Sequence, residues 1–322
     1  MPRRPGKPPA PCRMLCAMCG RFPILTVCLV ASLSGAAGAH AAERVRLVVL
    51  GIAQDGGVPH AGCTRACCTG GRRERVVSLG LVDEAAKRWW LFEATPDFPG
   101  QWRRMQAEAP GCTLAGVFLT HAHIGHYTGL VHLGREVMGA RGVPVFAMPR
   151  MRAFLETNGP WDQLVELGNV GIEPLAADLA VALSPHLTVT PFLVPHRDEY
   201  SETVGFVIEG PARRAAFLPD IDKWERWDRP VEDLIRGVDV AYLDATFFDG
   251  SELPGRDIRQ IPHPLVAESL ARFEALSAAE RARVRFIHLN HTNAALDPDS
   301  DAARRVRAAG CTIAREGEVV GL

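Results

Sequence analysis

Leu119-Thr120-His121-Ala122-His123-Ile124-Gly125-His126-Tyr127-Thr128-Gly129-Leu130 places three histidines within six positions, between the apolar run Leu114 to Thr120 and a stretch with helical spacing. The run reads as a buried strand. The spacing of Leu130, Leu133, Val137 and Met138 predicts a helix ended by Gly139 and Gly142. Irregular backbone between two such elements can aim several imidazoles at one point, and imidazole is a ligand suited to zinc, iron and related ions. Clustered histidines also serve as surface or capping residues, so the remainder of the chain has to supply partners.

Three later segments do so. His196 in Val194-Pro-His-Arg-Asp-Glu-Tyr200, Asp220 in Phe217-Leu-Pro-Asp-Ile-Asp222 and His291 in Phe286-Ile-His-Leu-Asn-His-Thr-Asn293 each follow a run of strand-forming residues. Four segments that each end an apolar run in a polar side chain can converge on one rim of a sheet. Other predicted strands are Val45 to Leu50, Arg75 to Val82 paired with Arg88 to Glu93, Val143 to Met148, Leu187 to Val194, Thr203 to Glu209, Arg214 to Leu218, Val238 to Leu243 and Val284 to Leu289. Helices are expected over 150–182 with breaks, over Leu265 to Leu276 behind Pro264, and over Pro298 to Ala309 before Gly310, with a last strand or hairpin in Cys311 to Val320. Strands and helices mix in both halves, which two sheets stacked between outer helices would satisfy.

The order of these motifs resembles the metallo-β-lactamase superfamily, whose pattern is H-x-H-x-D-H followed by His, Asp and His on later loops. The resemblance implies an αββα sandwich of two mixed sheets. It also implies a first metal position at His121, His123 and His196, a bridging carboxylate at Asp220, and a second position at His126 and His291. The chain departs from the pattern at Gly125, where the superfamily has aspartate, so the second position loses an anionic ligand or recruits a substitute. Asp55 is a candidate substitute, its plainer reading being a turn-forming residue. A closer likeness, across nearly all of the chain after residue 41, is to the pyrroloquinoline quinone biosynthesis protein B family. It rests on Val49-Leu-Gly51 with the Gly56-Gly57 loop and cysteine cluster, Ala94-Thr-Pro-Asp97, Thr128-Gly-Leu130, Pro262-His263 and Ile287-His-Leu-Asn-His-Thr-Asn293. Members of that family lack much of the histidine set, so the biosynthetic role is not carried over with the likeness.

The cluster Cys63-Thr-Arg-Ala-Cys67-Cys68 acquires a reading through the same resemblance. These relatives, and the similar cyclic phosphodiesterase of phosphonate breakdown, hold a structural zinc with three cysteines near the first strand and a late histidine, a position His263 would match. Sulfur-rich tetrahedral coordination suits a closed zinc site and would pin the long first loop. The spacing C-x3-C-C departs from C-x-C-x2-C, and a disulfide is the alternative. His60, His132, His186 and His288 read as packed or exposed side chains. Asp244, at a strand end, either orients a histidine ligand or caps, and the six tryptophans read as core.

Nine cysteines divide into four before residue 41 and five after it, an odd and clustered remainder unlike a small secreted disulfide framework. Residues 1–41 read as an export signal: basic residues from Arg3 to Arg21, an apolar stretch from Phe22 to Leu33, and small residues ending Ala39-His40-Ala41. The apolar part is shorter than the roughly 20 residues of a spanning helix, which disfavours a membrane anchor. Cleavage there removes five basic residues and moves the formal charge from −1 to −6. A mildly acidic body argues against nucleic acid as partner and leaves a small-molecule substrate. Residues 42–322, with no repeat or linker, read as one domain, periplasmic or secreted, without stable membrane insertion and of unspecified oligomeric state. The expected activity is metal-dependent hydrolysis of an ester, phosphodiester or related bond. One or two Zn2+ ions, or iron or manganese, would lower the pKa of bound water from 15.7 to roughly 7 and present hydroxide, with Asp220 bridging or orienting it. The rivals are an iron-dependent oxygenase or cofactor-biosynthesis protein, and a metal-binding protein without catalysis.

Overall fold

The computed structural model describes residues 44–322; the leader expected over 1–41 lies outside them. Fourteen strands form two seven-stranded sheets. The first is ordered β14-β1-β2-β3-β4-β5-β6, and its strands are β1 (Val45–Gly51), β2 (Ser78–Asp83), β3 (Arg88–Phe92), β4 (Thr113–Phe118), β5 (Val143–Ala147), β6 (Val170–Pro174) and β14 (Val319–Gly321). The second is ordered β13-β12-β11-β10-β9-β8-β7, from β7 (Val181–Ser184), β8 (Leu187–Leu193), β9 (Val204–Glu209), β10 (Arg214–Leu218), β11 (Val240–Asp244), β12 (Val284–Ile287) and β13 (Thr312–Ile313).

The reason the sheets stack is written in strands such as β3, which is apolar at every position from Trp89 to Phe92. Trp90 and Phe92 point into the core between the sheets, and Trp89 and Leu91 point outward to pack with Phe98, Met105, Met151 and Leu155 beneath the helices Phe98–Glu108 and Pro149–Thr157. A strand buried on both faces loses its polar alternation for that reason. The intersheet core centres on aromatic rings: Phe92 and Phe118 stack at 5.0 Å, and Phe206, from the opposite sheet, meets them edge-on at 5.4 and 5.6 Å. Phe206→Ala would open a cavity there, and its midpoint in urea should fall by the equivalent of about 3–5 kcal/mol; a loss under about 1 kcal/mol would contradict this packing.

Topology aligns the strand ends. β10, β11 and β12 are mutually parallel, with Leu218 beside Leu243 and Asp244 beside Ile287, and β8 reaches β10 through two antiparallel pairings, so it runs the same way. The segments after β8, β10, β11 and β12 therefore emerge at one edge, where parallel α/β sheets place their ligands. In the first sheet β3 and β4 are parallel and likewise end together.

Two expectations are corrected. The segment after the histidine loop is a 3-10 turn over Thr128–Leu133 instead of a helix to Gly139. The region 150–182 contains only the helices Pro149–Thr157 and Trp161–Glu166 before β6 and the start of β7. β6 is an edge strand, where Gly171 and Pro174 are tolerated and the apolar pattern is weak. Among the described residues, no helix is long and apolar enough to cross a membrane. Four of the six tryptophans are core side chains, and Trp102 and Trp161 pack half-buried against it.

Candidate metal centre

β4 ends at Phe118, and the backbone then winds through Thr120 and His121 into the single turn Ile124–Tyr127. Ser201 Oγ accepts from the Ala122 amide at 2.9 Å, and the Val204 amide donates to Thr120 O at 3.2 Å, tying the loop to the other sheet. His121 Nε2 thereby stands 2.8 Å from His123 Nδ1, and His196 Nε2, after β8, stands 3.3 Å from the same atom. Asp220 Oδ2, after β10, is 3.4 Å from His121 Nε2 and 3.2 Å from His196 Nε2. Donor atoms of these four side chains all lie within 4.8 Å of one another.

Each imidazole is aimed by a group on its far nitrogen. His121 Nδ1 meets Thr120 Oγ1 at 2.9 Å, His123 Nε2 meets Glu199 Oε2 at 3.0 Å, and His196 Nδ1 faces Asp222 Oδ1 at 3.4 Å. Such outer partners fix the tautomer and orient the inner lone pair.

Beside this set lies a second one. Asp55, His126 and His288 bring donor atoms within 4.8 Å of one another, and Asp220 Oδ2 is 3.9 Å from both His126 Nε2 and His288 Nε2. His126 Nδ1 faces the fully buried Glu93 carboxylate at 3.3 Å. Thr246 Oγ1 donates to Asp244 Oδ1 at 2.7 Å, so it can only accept from His288 Nδ1 at 2.9 Å, which leaves the His288 Nε2 lone pair facing inward. Glu93 and His288 both have left-handed backbone, φ 76° and 64°, at the ends of β3 and β12. Non-glycine residues seldom adopt this conformation, and it concentrates at functional sites.

The structure exchanges the two late histidines. His291, expected at the second metal position, instead joins Cys63, Cys67 and Cys68, with donor atoms all within 4.8 Å, and its ring stacks on His60 at 4.3 Å. His263, expected with the cysteines, is buried beside Asp220 and Asp244: its Nδ1 donates to Asp244 Oδ2 at 2.9 Å and lies 3.1 Å from Asp220 Oδ1. His288, read from sequence as a packed strand residue, takes the place given to His291. The reason is one of phase, because β12 stops at Ile287 and the turn at His288 redirects its side chain. No disulfide links the five cysteines among the described residues, and the Cys63 and Cys67 Sγ atoms stand 4.0 Å apart.

The electrostatics suit a cation. Asp55 Oδ1, Glu93 Oε1, both nitrogens of His126, Asp220 Oδ1 and His288 Nε2 are buried and form no hydrogen bond among the described residues. Buried polar atoms are seldom left so. Burial opposes ionisation of Asp220, but the surrounding imidazoles outweigh it and hold the carboxyl well below its ordinary range. Burial likewise disfavours charge on His126, His196 and His263, yet neighbouring carboxylates outweigh it and raise them to about 10, 9 and 10. Burial pushes His121 and His288 down. A dense set of buried carboxylates thus needs compensating positive charge, and imidazole nitrogens with carboxylate oxygens are the donor set that zinc, iron and related ions take.

A family model described as a beta-lactamase superfamily domain matches residues 88–291, which span the histidine loop and every later segment of the site. The chain belongs to that superfamily. Its two sheets with flanking helices are the metallo-β-lactamase αββα sandwich of this family. Within the superfamily it is a relative of coenzyme PQQ synthesis protein B: it is 30% identical to that protein from Methylobacterium radiotolerans over 310 residues, covering 85% of this chain and 98% of the relative. It is similar to the crystal structure of zinc-bound PqqB from Methylobacterium extorquens, with TM-score 0.71, 25% identity, and coverage of 86% of this chain and all of that one. A diphosphatase of the PhnP family shares the fold, with TM-score 0.62, 23% identity, and coverage of 86% of this chain and 98% of that one. The superfamily likeness and the His/Asp cluster together make this a metal-binding member.

Proposed function

We propose that the chain is a metal-dependent hydrolase acting on an ester, phosphodiester or related bond of a small molecule. The observation that carries this reading is the meeting of His121 Nε2, His123 Nδ1, His196 Nε2 and Asp220 Oδ2 at one point, each imidazole oriented from behind. His121, His123, His196 and Asp220 would hold one ion, and His126, His288 and Asp220 are placed toward another. Zinc is favoured by the donor set and by the zinc-bound relative. When bound, such an ion supplies Lewis acidity to the electrophile and makes water more acidic.

The chain's own residues do the rest. Asp220 is positioned to orient an attacking water. His263 is tied through Nδ1 to Asp244, which leaves Nε2 on the opposite side of the ring. Asp244 is itself fixed by the Ile221 amide at 3.2 Å and the Thr246 amide at 2.8 Å. With Asp244 holding Nδ1, His263 can hand a proton from Nε2 to a leaving group. Accordingly, His263→Ala should cut turnover by about 10²–10⁴-fold while bound metal per chain stays at the wild-type value. Loss of metal in that variant would assign His263 to the ligand set instead.

The cysteine cluster with His291 is read as a separate structural ion position, because thiolate-rich sets are closed sites that pin a loop. A second reading is favoured by the likeness to coenzyme PQQ synthesis protein B across nearly its whole length: a step in cofactor synthesis with iron in the same histidines. The deciding experiment is elemental analysis of the purified protein, coupled to ester, thioester, phosphodiester and lactam hydrolysis before and after chelation. Turnover lost with EDTA and regained with Zn2+ supports the hydrolase. Bound iron with oxygen consumption and no hydrolysis would replace it by the second reading.

A further inference from the structure

The histidine loop has Gly125 where the superfamily pattern carries its aspartate. An ideal Cβ built on Gly125 would stand 2.3 Å from Asp55 Oδ1 and 2.6 Å from Asp55 Cα, distances real Cβ atoms do not tolerate. The space in which a side chain at 125 would begin is therefore filled by a carboxylate from a different loop. Its Oδ1 lies 3.3 Å from His126 Nε2 and belongs to the group formed with His126 and His288.

The backbone at Asp55 is an ordinary turn, closed by the Gly57 amide donating to Gln54 O at 2.8 Å, so the carboxylate does not take that amide and is left to face the site. Asp55 Oδ1 is buried and makes no hydrogen bond among the described residues. The loop is also held in register with the far side of the site: the Gln54 amide donates to Leu289 O at 2.9 Å, and the Leu289 amide donates to Ile52 O at 2.8 Å. Asp55 and His288 are each the immediate neighbour of a residue in that ladder.

We infer that Asp55 supplies the anionic ligand of a second metal position, with His126, His288 and the shared Asp220, and that Gly125 is required to admit it. The carboxylate has moved from the histidine loop to the first loop while its oxygen still reaches His126. The inference rests on the hydrolase reading for the existence of the centre, and goes beyond it in naming the relocated ligand.

The test is metal content and affinity of the full chain, by elemental analysis after equilibration with Zn2+ and by the visible spectrum after Co2+ loading. Asp55→Asn, close in shape to the native residue, should lower affinity at the second position by at least about a hundredfold, beyond the 10–100-fold typical of an outer partner. The metal at His121, His123 and His196 should stay. Gly125→Asp alone should also lose the second ion, because its Cβ would collide with both the carboxylate and the Cα of Asp55. Equal affinity and unchanged spectra in wild type and Asp55→Asn would overturn the inference and leave the hydrolase reading standing. A wild-type chain that takes no Zn2+ or Co2+ at its histidines would overturn both. If Gly125→Asp fails to fold, Asp55→Asn alone still decides.

Discussion

Asp220→Ala should leave a folded protein that has lost hydrolysis by more than about a thousandfold, equivalent to some 4 kcal/mol of transition-state stabilisation. The size follows from how many partners the carboxylate serves. Oδ2 lies 3.2 to 3.9 Å from imidazole nitrogens of His121, His196, His126 and His288, and Oδ1 is 3.1 Å from His263 Nδ1. Its removal takes away a shared ligand, the group that would orient the attacking water, and the carboxylate facing His263 Nδ1. His121→Ala should show the same loss, since His121 is buried and oriented through Thr120. Circular dichroism and thermal unfolding separate the chemistry from the fold. Native-like melting with wild-type turnover in either variant would remove the hydrolytic centre from consideration.

The second large effect concerns the cysteines. His291→Ala and Cys67→Ser should give one shared phenotype: the loss of one metal equivalent per chain, and destabilisation of the first loop by several kcal/mol, since binding energy at a structural zinc is also folding energy. Limited proteolysis should then cut between Gly56 and Gly71, where the wild type resists. His263→Ala should show neither change. The contrast tests the exchanged positions of the two histidines directly. Metal loss in His263→Ala together with intact metal in His291→Ala would reverse the assignment. Chelation should reproduce the loop phenotype in wild type and add nothing to Cys67→Ser at this position.

Much of this arrangement was legible in the residues. The strand ends at His196 and Asp220 could be found because Leu187 to Leu193 and Arg214 to Leu218 are runs that stop abruptly before a proline and a polar side chain. The histidine loop declared itself by density. His288 did not, because it lies inside the apolar run Phe286-Ile287-His288-Leu289 and so reads as a strand residue, and only the left-handed backbone at 288 ends the strand before it. His263 sits between β11 and the helix Val266–Arg272 without an apolar run before it, so sequence offered nothing to distinguish it from the other late histidine. Asp55 could be named from sequence only as a candidate beside its plainer turn reading, because an aspartate followed by two glycines is what a turn requires and no local rule shows that the open side of Gly125 faces it. The misplaced helix over 170–174 reflects edge-strand chemistry, in which burial is too partial to print a clear period.

The first loop and the segment after β12 each touch both clusters. Asp55 and Cys63 lie on the former, and His288 and His291 on the latter, separated only by Leu289 and Asn290. Two short tethers therefore join the catalytic rim to a sulfur-rich anchor, and slack in one is felt by the other. If the chain hydrolyses as proposed, an oxidant that consumed the thiols is expected to lower turnover without touching a side chain of the histidine site.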